Sequence, residues 1–161
     1  MRPILLNSCA RAATAAEARF RIDAPIAPSR GARVFALDAA AEAVVGRVAA
    51  DRSWATARFF APAGGDRMRP LHGGSPGTAD VAAELDGADV GVLVATSPEG
   101  AGAAAGIGGI CRERGIMTAG LVVDGGPEAL DAVAMLRPYA RVLLLTGDED
   151  DIGAVLTALR A

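Results

Sequence analysis

The sequence predicts an α/β fold: a single-domain, three-layer, Rossmann-like arrangement around a mostly parallel sheet of about five strands. Three observations carry this expectation. From Arg33 onward, short apolar runs alternate with segments of helical period. The runs are continuous rather than alternating (RVFAL at 33–37, DVGVLVA at 89–95, MTAGLVV at 117–123, RVLLL at 141–145), so helices should cover both sheet faces. Each pair of runs is separated by enough chain for a crossover helix, and such crossovers are right-handed.

Residues 1–32 read as an N-terminal extension and linker, and residues 33–161 as the domain. Pro3–Leu6 suits a short strand, and Asn7 or Ser8 suits the cap of a helix running to about Phe20. Pro25, Pro28 and Gly31 break the chain, making Asp23–Ala32 a linker. Residues 1–22 are rich in Arg and Ala with one acid, Glu17, and faintly resemble a transit peptide; an ordinary strand and helix is the preferred reading.

Within the domain, Arg33–Leu37 opens as a strand. Asp38 caps a helix to about Asp51, with Val44, Val45 and Val48 inward. Ala55–Ala61 is the next strand, and Pro62–Thr78 a long loop rich in glycine and proline. Thr78 suits the cap of a helix over Ala79–Leu85. A βαβ unit follows, with strands at Asp89–Ala95 and Met117–Val123 and a helix at Ala101–Arg114. Asp124–Gly126 is a turn, and Pro127 opens a helix ending near Pro138. Arg141–Leu145 is the last strand. An amphipathic helix closes the chain with Ile152, Val155, Leu156 and Leu159 on one face.

Aromatic residues make up only 4% of the 161, so the core must be built from Ala, Val, Leu and Ile. A net charge of −3 supplies neither a basic field for nucleic acid nor a polybasic membrane patch. No apolar run approaches the length of a membrane span. Cys9 and Cys111 lack ligand-like spacing, and both suit a reduced cytoplasmic location.

Loops that follow parallel strands gather at one sheet edge, where open α/β sheets take ligands. Three candidates are expected there: His72–Thr78, Thr96–Gly102 and Thr146–Asp151. In the second, Gly100 and Gly102 suit close backbone approach, and the following helix offers N–H groups to an anion. Glu99 at the same helix start competes as a plain cap. Gly102, Gly106, Gly109 and Ala105 share one helix face, which implies a close neighbour; the sheet is the preferred one and a subunit contact the alternative. His72 is the sole histidine, and no Ser–His–Asp set can be assigned. The acidic run Asp148–Asp151 suits a magnesium ion, but a solvated helix start is the preferred reading. Arg67, Met68 and Arg69 in the long loop suit an anionic ligand.

The order of these loops resembles the nucleotide-binding half of FtsZ, the bacterial tubulin relative. The matching residues are Gly73-Gly74-Ser75-Pro76, Gly87-Ala88-Asp89, Ser97-Pro98-Glu99-Gly100-Ala101-Gly102, Arg112-Glu113-Arg114-Gly115, and Thr118 with Val122-Val123. Glu128–Asp148 is similar to the family's next helix and strand. The resemblance implies a nucleotide, GTP or GDP, or another phosphate ligand cradled by Gly73, Gly74, Ser75, Ser97, Gly100 and Gly102. The chain departs from the family at its first phosphate loop, where Leu37-Asp38-Ala39-Ala40 has no glycine. It also carries Pro98 and Glu99 in the signature loop and stops soon after the last strand. These departures imply a binding or assembly module without stand-alone GTPase activity, working as a homo-oligomer or docked on a larger protein. Two alternatives stay open: a small-molecule enzyme using His72, Glu99 or Asp124 as acid or base, and a purely structural subunit.

Overall fold

The computed structural model describes residues 31–51, 54–64, 67–72, 77–123 and 126–159. The expected strand at Pro3–Leu6, the helix beyond it and Cys9 lie outside the described residues. The elements are β1 (Ala32–Ala36), α1 (Ala39–Asp51), β2 (Arg58–Pro62), β3 (Arg67–Pro70), β4 (Ala79–Asp80) and α2 (Val81–Glu84). They continue with β5 (Val90–Ala95), a 3-10 turn (Pro98–Gly100), α3 (Ala101–Glu113), β6 (Met117–Val123), α4 (Ala129–Leu136), β7 (Val142–Thr146) and α5 (Asp150–Ala158).

The described strands join one mixed seven-stranded sheet in the order β4-β3-β2-β1-β5-β6-β7. β2, β1, β5, β6 and β7 run parallel, whereas β3 and β4 are antiparallel to their neighbours. The expectation of a mostly parallel sheet of about five strands is therefore corrected. The two extra strands come from the stretch expected to be loop, Pro62–Thr78, and from the expected start of the next helix. A tight reversal at Ala63–Arg67 turns the chain back along β2: Ala63 N–H donates to Arg67 O, and Arg67 N–H donates to Gly64 O. Gly64 stands at φ +95°, a conformation that glycine adopts without a Cβ penalty. Thr78 does not cap α2. Its hydroxyl accepts from Arg67 Nε at 2.6 Å, and Asp80 is the cap, accepting from Ala83 N.

Each central strand sends alternate side chains to opposite faces. Ala32, Val34 and Ala36 of β1 and Val90, Val92 and Val94 of β5 meet Ala41, Val44 and Val45 of α1 and Ile152 and Leu156 of α5. On the other face, Phe35, Phe60 and Leu93 meet Val81 of α2, Ala104, Ile107 and Cys111 of α3, and Ala132 and Leu136 of α4. Both faces are thus covered, which is why the strands read as continuous apolar runs. Phe35 and Phe60 stack with ring centroids 5.4 Å apart, and Trp54 packs on Phe59 at 6.0 Å, in a core that is mostly aliphatic.

Counting only the parallel strands, the order is 2-1-3-4-5. The chain moves outward in both directions from the gap between β1 and β5, and helices from these two neighbours leave on opposite faces. That gap is the topological switch point of the sheet.

Candidate functional site

The switch point places two loops side by side at the carboxyl edge: Leu37–Asp38 after β1 and Thr96–Gly100 after β5. The crevice above them encloses about 410 Å³. Asp38, Thr96, Ser97, Glu99 and Glu128 line it, together with small residues and Pro127. Three carboxylates face this crevice and none of the described lining residues is basic, so its field is unfavourable for an anion.

Asp38 dominates the geometry. It is buried, and its carboxylate accepts four hydrogen bonds. Oδ1 takes the Ala41 N–H at 2.8 Å, capping α1, and the Thr96 hydroxyl at 2.7 Å. Oδ2 takes the backbone N–H groups of Thr96 at 2.8 Å and Ser97 at 3.2 Å. The loop donors that suit a phosphate in this kind of fold are bound instead to an internal anion. Glu99, expected to compete for this helix start, stays exposed. The capping role of Asp38 was legible in the sequence; its hold on the β5 loop was not, because those partners lie 58 and 59 residues away.

The predicted cradle residues separate. Ser97 lies in the crevice, with its N–H on Asp38 and its hydroxyl oxygen accepting from Glu99 N at 3.4 Å. Gly100 is buried against β1. A Cβ there would stand 2.5 Å from Leu37 Cβ and 2.7 Å from Leu37 O, so its missing side chain serves loop packing. Gly102 is exposed, with nothing within 4 Å of its would-be Cβ. It faces a groove of about 580 Å³ between α2 and α3, away from the crevice, alongside Val81, Gly106, Ile107 and Ile110. Gly73, Gly74 and Ser75 lie outside the described residues, as does Asp124.

The glycine face of α3 is a second correction. Gly102, Ala105, Gly106 and Gly109 turn away from the sheet, and Ala104, Ile107, Gly108 and Cys111 are buried against it. The glycine that permits close packing is Gly108, where a Cβ would meet Tyr139 at 2.6 Å.

Nor do the three candidate loops share an edge. His72 follows the antiparallel strand β3, whose end lies beside the first half of β2, since Leu71 N–H donates to Phe59 O. It therefore starts at the amino edge of the sheet, opposite Glu99. His72 is exposed and is not among the residues lining the crevice. The expected acid–base set on one edge is not assembled by His72 and Glu99.

The acidic run after β7 is engaged by the protein's own groups. Glu149 pairs with Arg47 of α1, which holds its carboxyl below the usual range. Asp151 accepts from the Thr146 hydroxyl, and Asp148 Oδ1 accepts from Asp150 N at 2.9 Å. Among the described residues, no group of three or more His, Cys, Asp or Glu side chains could hold a metal ion, and no helix is long and apolar enough to cross a membrane.

Arg67 and Arg69, expected in a loop, are strand residues with partners. Arg67 bonds Thr78, and Arg69 pairs with Glu42 of α1.

At the far edge of the sheet, β7 has no neighbour among the described residues beyond β6. Val142 is 59% exposed and Leu145 48% exposed, on opposite faces of the strand. A strand of pattern VLLLT reads as interior, and only the order of the described strands leaves it at an edge.

No protein-family model matches the sequence, and a search of curated proteins returns no match.

Proposed function

We propose that this chain is a reduced, FtsZ/tubulin-like domain that works as an assembly module and has no stand-alone GTPase activity. The loop order that carries the resemblance runs from Gly73 to Val123. The observation that favours assembly over nucleotide binding is the Asp38 carboxylate. It occupies the Thr96 and Ser97 N–H groups where a phosphate would need them, in a crevice that also holds Glu99 and Glu128. An added phosphate would have to displace this carboxylate and then sit among like charges.

The β7 edge, unpaired among the described residues, supports the same reading from the other side. An apolar edge strand is a template for pairing with another chain unless something blunts it.

Two measurements on the full chain test the proposal. Melting temperature is followed with GTP, GDP and ATP, and light scattering is followed against protein concentration. The expected result is no shift with nucleotide and a mass that rises with concentration. A nucleotide at a hundred times its dissociation constant would add about 2.7 kcal/mol of stability. A shift of that size would overturn the assembly-only reading in favour of a nucleotide site.

A further inference from the structure

We infer that the β7 edge pairs antiparallel with β7 of a second copy, joining two sheets across a two-fold axis through Leu144. This inference rests on the assembly reading above and names its partner and geometry.

The backbone sets the register. Just before the strand, Arg141 donates its N–H to Thr118 O at 2.8 Å, so Thr118 turns its polar groups toward β7. Successive strand residues point their polar groups in opposite directions. Gly120 and Val122 therefore also face β7. In the observed register Ala119 lies beside Val142, Leu121 beside Leu144 and Val123 beside Thr146. The residues that bond Gly120 and Val122 are then Val142, Leu144 and Thr146, so Leu143 and Leu145 turn their N–H and C=O groups outward. In an antiparallel pair, directly opposed residues of that outward kind exchange two hydrogen bonds. Placing Leu144 opposite its own copy puts Val142 opposite Thr146 and Leu143 opposite Leu145. All outward groups of the strand are then paired, and the half-exposed Leu145 packs on Leu143 of the mate.

Charge selects the antiparallel arrangement. β7 is entered through Arg137 and Arg141 and left through Asp148, Glu149, Asp150 and Asp151. Arg141 and Asp148 are both exposed. The proposed register brings Arg141 opposite Gly147 of the mate, next to its Asp148, and symmetry makes the contact twice. A parallel pairing of the same edges would set arginine against arginine and acid against acid.

The two edges of the sheet differ in a way that fits. The opposite edge ends in β4, a strand of two residues, and a very short edge strand is one of the ways proteins prevent pairing. β7 has five residues, with no proline, no bulge in its register with β6 and no charged side chain. A seam of this length is small for a stable interface, so association in the micromolar range is expected.

The test uses sedimentation equilibrium of the full chain and four variants, each checked for folding by circular dichroism. Leu145→Pro removes one outward N–H from the edge strand, a position that tolerates proline. Arg141→Asp and Asp148→Arg each place like charges together, and the double variant restores opposite charges. We expect a dimer for the parent chain, weakening of at least tenfold for each of the three single variants, and recovery in the Arg141→Asp/Asp148→Arg double variant. A dimer indifferent to all four variants would overturn the seam while leaving the assembly reading in place. A strict monomer at every concentration would overturn both the seam and self-assembly.

Discussion

Replacing Asp38 by alanine tests whether the switch point is held shut by the protein's own carboxylate. The substitution removes four hydrogen bonds at once. Loss of the α1 cap costs about 1 kcal/mol. The Thr96 and Ser97 N–H groups each lose an anionic acceptor, and an orphaned donor costs about 1–3 kcal/mol. The crevice is open at this point, so water can reach both groups and the low end applies. The sum is about 3 kcal/mol, which corresponds to a drop of about 6–12 °C in melting temperature for a chain of this size. Asparagine keeps one acceptor oxygen and should lose about half as much. The assay is thermal unfolding by circular dichroism, repeated with added inorganic phosphate. In Asp38→Ala the freed N–H pair should give phosphate a stabilising effect that the parent lacks. A variant melting within about 2 °C of the parent would show that the four bonds carry no weight, and the account of the closed rim would fall.

Two further predictions use single sites. Gly100→Ala forces a Cβ into the Leu37 backbone and should cost about 1–3 kcal/mol, whereas Gly102→Ala meets nothing and should gain up to about 1 kcal/mol of helix propensity; equal effects in a denaturant titration would contradict this division of roles. Burial pushes the Cys111 thiol up, against the smaller opposing pulls of Thr118 and Arg114. The folded chain therefore holds its proton where the unfolded chain releases it, so stability is intact below about pH 8.5 and is lost as pH rises through the folded value. Cys111→Ala should flatten that alkaline decline in urea midpoints, and an unchanged decline would assign it to other groups.

Much of the central fold was legible because local periodicity and burial agree there. Met117–Val123 forms a strand within the expected bounds, and α3 ends one residue short of Arg114. The β3 hairpin was not legible. RMRP carries two charges and a proline, so its four residues show no apolar run, and they form a strand only because β2 offers a free edge. The same hairpin carries His72 to the amino edge and breaks up the expected grouping of loops. The glycines of α3 show a related limit. Spacing along a helix tells which residues share a face, but not which face the sheet takes. Buried Ile107 and Cys111 settle that, leaving Gly102 and Gly106 outside.

By itself the sequence determined the alternation of elements, the two-faced burial of the sheet and the aliphatic core, because these follow from side-chain period and polarity within short windows. Tertiary structure alone decided what occupies the rim and which strand stands at the edge. Asp38 reaches Thr96 and Ser97 only because parallel pairing lays β1 beside β5. The apolar run at 142–146 is left half-exposed because the order of the described strands ends there. Strand order depends on contacts between residues far apart in the chain, and no local pattern encodes it.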